Sequence, residues 1–137
     1  MKKQLIGGGL ICLGLAIVLC LAGCAKQKPA LPSDEPAGAY VLVSVNGNQV
    51  PTDVDHDGVT LKVLSGNFTI NGDGTCRSKT VFVVPSGTET EREVNATYTQ
   101  DGPTLTMKWE GAGTTVGTVA GNTFTMDNEG MVFVYRK

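Results

Sequence analysis

The sequence has few of the residues that most enzymes use for chemistry. It contains one histidine, His56, and Cys76 is the only cysteine after residue 24. A Cys–His nucleophile needs a third group to orient it, and these two residues fall on different predicted elements with nothing to orient them. The glycines lie at turn positions and form no phosphate-binding loop. These shortages predict a protein that is not an enzyme and has no organic cofactor.

Positive charge is also scarce. Apart from Lys2 and Lys3 the chain has nine Lys and Arg residues against thirteen Asp and Glu residues, so residues 24–137 carry a net charge of −4. No cluster of basic residues forms a patch, and nucleic-acid binding depends on such a patch. Nucleic acid is therefore not an expected partner.

A long uncharged apolar run occurs once, over residues 5–22, directly after Lys2 and Lys3. It ends in LAGC (21–24), which resembles the box of a bacterial lipoprotein signal, where cleavage precedes a cysteine that receives a diacylglyceryl group. The resemblance implies a signal peptide over 1–23 and lipidation of Cys24, with two or three acyl chains giving stable membrane anchoring. An uncleaved transmembrane anchor and a secretory signal without lipid are the alternatives.

Disulfides are excluded once the signal is removed. Cys12 and Cys20 leave with the signal and Cys24 carries lipid, so Cys76 has no intrachain partner and is expected to be an inert small hydrophobe. Residues 24–37 hold three of the six prolines and no apolar periodicity, which predicts a tether of roughly 40 Å when extended. We expect a lipid-anchored domain in the cell envelope. Ala25 is not an inner-membrane retention aspartate, so the outer membrane is expected if the bacterium has two membranes.

After residue 38 no segment has helical periodicity, apart from a stretch near 50–57 that is compatible with a single helical turn. Apolar and polar residues alternate instead, with turn signals such as NGDG (71–74) between the segments. The pattern predicts an all-β domain over 38–137, a small closed antiparallel up-and-down barrel of eight or nine strands. The predicted strands are 40–45, 59–64, 66–70, 75–84, 92–99, 104–109, 114–119, 122–126 and 131–136.

The predicted strands bury one face each. Either the large apolar side chains on those faces line a pocket for a small apolar ligand, or they fill the barrel and leave the surface to contact an envelope protein or inhibit an enzyme. Burial of each such side chain stabilises the fold by about 1.5–3 kcal/mol, which favours a packed or nearly packed interior. The candidate ligand-binding residues are Phe68, Ile70, Tyr98, Met107, Trp109, Phe124 and Met126.

The first and last strands, 40–45 and 131–135, are apolar at nearly every position, which suggests that they pair and close the barrel. The segments GAYVLVSVNGNQVP, SGNFTINGDGTC, WEGAGTTVG and FTMDNEGMVFVYRK resemble the lipocalin-like domains of small bacterial lipoproteins across residues 38–137. The resemblance implies a small barrel that sometimes holds a hydrophobic ligand. It also implies contact between an aromatic residue on the first strand, here Tyr40, and an arginine on the last, here Arg136.

The stretch DVDHDG (53–58) is similar to the front half of a calcium-binding loop. Asp53, Asp55 and Asp57 are the candidate ligands of a weak Ca²⁺ site, but Leu64 stands where such a loop needs a bidentate glutamate. In lipocalin-like barrels the first long loop tends to cover the open end. The resemblance therefore favours an acidic lid segment that contains His56.

Overall fold

The computed structural model describes residues 35–137, so the predicted signal, Cys24 and the tether up to residue 34 lie outside the described residues. No helix in the described part of the chain is long and apolar enough to cross a membrane. The ten strands are β1 (Gly38–Val45), β2 (Asn48–Gln49), β3 (Thr52–His56), β4 (Val59–Ile70), β5 (Thr75–Val83), β6 (Glu89–Asp101), β7 (Thr104–Trp109), β8 (Thr114–Ala120), β9 (Thr123–Asn128) and β10 (Met131–Arg136).

Eight of these strands close a barrel. From β4 to β10 each strand pairs antiparallel with the next, and β1 then pairs with both β10 and β4. Leu42 is opposite Tyr135 at one seam, and Tyr40 is opposite Phe68 at the other. The all-β, up-and-down closed barrel predicted from the sequence is confirmed, including the pairing of the first and last strands.

The barrel has two different ends. At the packed end lie the turns at 71–74, 102–103 and 121–122 together with residues 35–37 and Lys137. At the open end lie the turns at 46–47, 57–58, 84–88, 110–113 and 129–130.

The two remaining strands, β2 and β3, widen the wall at the open end. β1 pairs with β4 only through residues 38–41, and beyond that point β2 pairs with the end of β1 while β3 pairs with the start of β4. The helical turn that the sequence allows near 50–57 does not form. Residues 52–56 form an extended strand, in which the alternate side chains of Val54 and His56 turn inward. Asp53 and Asp55, which alternate with these two residues, face solvent, and this gives the period of two that a half-buried strand requires.

The predicted strands 59–64 and 66–70 are one continuous strand, β4. A bulge at Leu64 shifts its register against β5, so that Val63 is opposite Phe82 and Ser65 is opposite Val81. Such a bulge bends a strand without ending it. Gly66 follows the bulge at a close approach, where an added Cβ would lie 3.1 Å from the Leu42 side chain. Gly66 therefore lies within the continuous strand, at a point where packing against Leu42 leaves little room for a side chain.

Side chains that alternate inward along the strands fill the half of the interior next to the packed end. Phe124 packs at ring-centroid distances of 4.7 Å from Phe68 and 5.9 Å from Tyr40, and Phe68 lies 5.5 Å from Tyr135. Tilted aromatic pairs at these separations add stabilisation beyond the area that they bury. Leu105, Met107 and Val119 complete this layer with almost no exposed surface.

Candidate ligand-binding cavity

The half of the barrel next to the open end is hollow. It contains a cavity of about 310 Å³, which is at the small end of the range for pockets that bind small molecules, roughly 300–1,000 Å³. The apolar part of its lining comes from seven strands and one turn: Val54, Leu61, Val63, Phe82, Val94, Trp109, Ala112, Met126, Met131, Phe133 and the ring of Tyr135.

Polar groups are interspersed with this apolar lining. Trp109 Nε1 donates to Thr115 Oγ1 at 2.9 Å, and Thr115 Oγ1 lies 3.4 Å from Asn128 Oδ1. Burial raises the pKa of Tyr135, and a hydrogen bond with Ser78 acts in the opposite direction. Tyr135 is therefore neutral at physiological pH. These hydroxyl and amide groups can orient a ligand that has polar atoms as well as an apolar body.

Charged side chains lie towards the mouth of the cavity. His56 Nε2 is 3.4 Å from Asp57 Oδ2 and 3.7 Å from Glu129 Oε2, so the β3–β4 hairpin contacts the β9–β10 hairpin across the mouth. Asp127 accepts a hydrogen bond from the Gly130 N–H at 3.0 Å.

The predicted ligand-binding residues divide between the two halves of the barrel. Trp109 and Met126 line the cavity, whereas Phe68, Ile70, Met107 and Phe124 are buried in the packed half and do not line it. Tyr98 is also outside the cavity lining, and its hydroxyl donates to the Asn71 carbonyl at 2.6 Å near the packed end. A face that is apolar along its whole length cannot show which part of it is packed, because packing depends on the opposing strands.

The predicted calcium site is not formed. Among residues 35–137 no group of three His, Cys, Asp or Glu side chains is placed to hold a metal ion. Asp53 and Asp55 lie on a straight strand, where alternate residues are separated by about 6.6 Å, and Asp55 accepts a hydrogen bond from Thr60 on β4. The stretch lies at the open end, as expected, but it is a hairpin of the barrel wall and not a lid loop.

The predicted contact of Tyr40 with Arg136 is wrong, because a different basic residue lies over the Tyr40 ring. Arg136 is exposed and pairs through its backbone with Val41, because the preceding residue, Tyr135, takes the inward position. The cation over the Tyr40 ring is Lys137, whose Nζ lies 5.1 Å from the ring centroid. The aromatic–cation contact at the packed end therefore exists, one residue further along the chain.

Sequence reasoning missed Arg92, which lines the cavity from β6. The residues around it, TETERE (88–93), read as a solvated acidic edge, and Glu89, Glu91 and Glu93 are indeed exposed. The signal that could have revealed Arg92 is the alternation on the same strand, since Val94, Ala96 and Tyr98 share one face and a period of two extends that face to residue 92.

These features define a small, closed antiparallel β-barrel with an amphipathic cavity at one end. No protein-family model matches the chain, and no curated protein matches it. Among solved structures the chain is similar to a lipocalin-like protein from Bacteroides uniformis, with 16% identity and a TM-score of 0.42 over 74% of this chain and 96% of that chain. A likeness at this level assigns no function to this chain.

Proposed function

We propose that this protein is a lipid-anchored lipoprotein of the bacterial cell envelope that binds a small, largely apolar molecule in its barrel and catalyses no reaction. The observation that carries the binding proposal is the cavity of about 310 Å³ with Trp109, Met126 and Phe133 in its lining. A protein that needed only a stable barrel would gain by filling this space, because each large buried apolar side chain stabilises the fold by about 1.5–3 kcal/mol.

Residues 36 and 37, the last two of the predicted tether, are held at the packed end of the barrel. Lys137 Nζ donates to the carbonyl of Ala37 at 3.0 Å, and the Tyr40 hydroxyl donates to the carbonyl of Pro36 at 2.8 Å. The first described residues therefore leave the barrel at its packed end. A domain tethered there would present its open end, and the mouth of the cavity, away from the tether.

Trp109 provides the assay for binding, because it is the single tryptophan of the sequence and lies in the cavity lining. We expect 1-octanol to change its fluorescence saturably, and native mass spectrometry of the purified domain to detect a co-purifying apolar molecule. The variant Val94→Phe should fill part of the cavity and abolish the octanol response. Val116→Phe is the matched control, since Val116 is 51% exposed on the outside of β8.

A barrel with no co-purifying molecule and no octanol response would overturn the ligand-binding proposal. It would leave the alternative, a structural or interaction module that contacts an envelope protein through its outer surface.

Anchoring is tested separately. Metabolic labelling with palmitate should mark the full chain in a bacterium, and Cys24→Ser should lose the label while Cys76→Ser keeps it. Retention of the label by Cys24→Ser would contradict the lipidation proposal.

A further inference from the structure

The side chain of Arg92 has no partner within the described domain. It lies on β6 opposite Thr80, lines the cavity and is exposed at its mouth, and among residues 35–137 its guanidinium forms no ion pair or hydrogen bond. The neighbouring acids on the outer face are engaged with other cations. Glu91 Oε2 lies 2.9 Å from Lys79 Nζ, and Glu93 Oε1 lies 3.6 Å from Arg77 Nη1. Alternation along the strand thus separates Arg92 from both acids that flank it.

Neither of the two acids that line the cavity pairs with Arg92. Glu129 is 3.7 Å from His56, and Asp127 accepts a backbone hydrogen bond within its own hairpin. Arg92 is the one Lys or Arg side chain that lines the cavity in the described part of the chain. The mouth of the cavity therefore holds an arginine without an ion-pair partner in the described domain beside an apolar wall, together with the carboxylates of Asp127 and Glu129.

We infer that the ligand is a short amphipathic molecule whose oxyanion, a carboxylate or a phosphate, pairs with Arg92 while its apolar part lies against Trp109, Met126 and Phe133. This inference depends on the binding function proposed above. A guanidinium presents a planar fork of N–H donors that matches both oxyanions. Arg92 is exposed to solvent on one side, and on its cavity side the apolar lining reduces the screening of an ion pair by water.

The test uses four probes with the same alkyl chain: octanoate, octyl phosphate, 1-octanol and octylamine, titrated at pH 7.5 against Trp109 fluorescence. The wild-type domain should bind at least one of the two anions more tightly than 1-octanol, and octylamine more weakly. Arg92→Met keeps an unbranched apolar side chain and removes the charge. We expect it to weaken binding of the preferred anion about tenfold, which lies between the few-fold effect of an exposed pair and the hundredfold effect of a buried one. Octanol binding should be unchanged.

Arg77→Met is the matched control, because it removes the same charge from the outer face of the adjacent strand β5, where Arg77 is 54% exposed. Equal losses of anion affinity in the two variants would overturn the inference, since a general field effect would then explain both. Octanol binding without any preference for an anion would also overturn it, while leaving the proposed function intact. Absence of binding by all four probes would overturn both proposals.

A measurement on the wild-type domain covers the case in which Arg92→Met does not fold. Added salt should weaken binding of the preferred anion while octanol binding stays constant, because only the charged probe relies on an ion pair that salt screens. Parallel salt dependence of the two probes would contradict a role for Arg92. Comparison of octanoate with octyl phosphate then identifies which oxyanion the site prefers.

Discussion

Gly117 on β8 tests whether the packed half of the barrel is as tight as the structure shows. Its position is inward and buried, and an added Cβ would lie 2.4 Å from Cε2 and 2.7 Å from Cζ of Phe124. Phe124 cannot easily move away, because Phe68 and Tyr40 pack against its ring and none of its surface is exposed. We therefore expect Gly117→Ala to force the ring or the strand to shift.

The expected cost follows from two opposing effects. Overpacking a filled core typically costs about 1–3 kcal/mol of unfolding free energy. Replacing glycine by alanine restricts the unfolded chain and returns about 0.4–1 kcal/mol. The net destabilisation is then at most about 2.6 kcal/mol and centres near about 1.3 kcal/mol, which for a domain of this size lowers the Tm by roughly 5–10 °C.

Thermal and urea unfolding followed by circular dichroism measure this effect. The control is Gly113→Ala, because an added Cβ at Gly113 meets no atom within 4 Å. The double variant Gly117→Ala/Phe124→Leu supplies a further check, since leucine lacks the two ring carbons that clash. In the Phe124→Leu background the alanine should cost less. The packing argument is refuted if Gly117→Ala and Gly113→Ala unfold at the same temperature.

Two further predictions concern buried polar groups. Burial raises the pKa of the Cys76 thiol from its ordinary value of 9.0 to about 11, so Cys76 should react with thiol reagents at pH 8 only after denaturation. Because the folded state holds the thiol proton more tightly than the unfolded state, the contribution of Cys76 to stability is complete below pH 9 and is lost towards pH 11. Cys76→Ala should therefore flatten the decline in Tm between pH 9 and pH 11. An unchanged decline would contradict this assignment. Tyr40→Phe removes the buried hydrogen bond to the Pro36 carbonyl and should cost about 1 kcal/mol. Tyr98→Phe, whose exposed hydrogen bond water can replace, should cost less, and the reverse order would count against the assignment.

The architecture was readable from the sequence because each hairpin carries its own local signals. Alternation gave the buried faces of β6, β7 and β9, and turn residues such as those at 71–74 gave the boundaries. The apolar character of the first and last strands predicted the closing pair. The local sequence pattern did not reveal β3. Its exposed positions are charged and resemble a loop, and it has only two inward residues that line the cavity, Val54 and His56.

The site was less predictable because it depends on which inward positions oppose each other across the barrel. Phe68 and Trp109 both lie on apolar faces, and their rings contact edge-to-face at 6.1 Å, yet Phe68 is fully buried while Trp109 lines the cavity. No local feature of either strand distinguishes them. Arg92 was hidden for a similar reason, since its acidic neighbours dominate the composition of the segment while the pleat places it on the opposite face.

The separation of the interior into a packed half and a hollow half has a consequence for protein engineering. The aromatic layer around Phe68 and Phe124 lies at one end, while the turns at 84–88, 110–113 and 129–130 surround the mouth at the other. Residues in these turns can be randomised to build libraries of new binders without altering the layer that holds the barrel together. The same domain could thus serve as a small scaffold without disulfides, in which new recognition is selected at one end and thermal resistance is improved independently at the other.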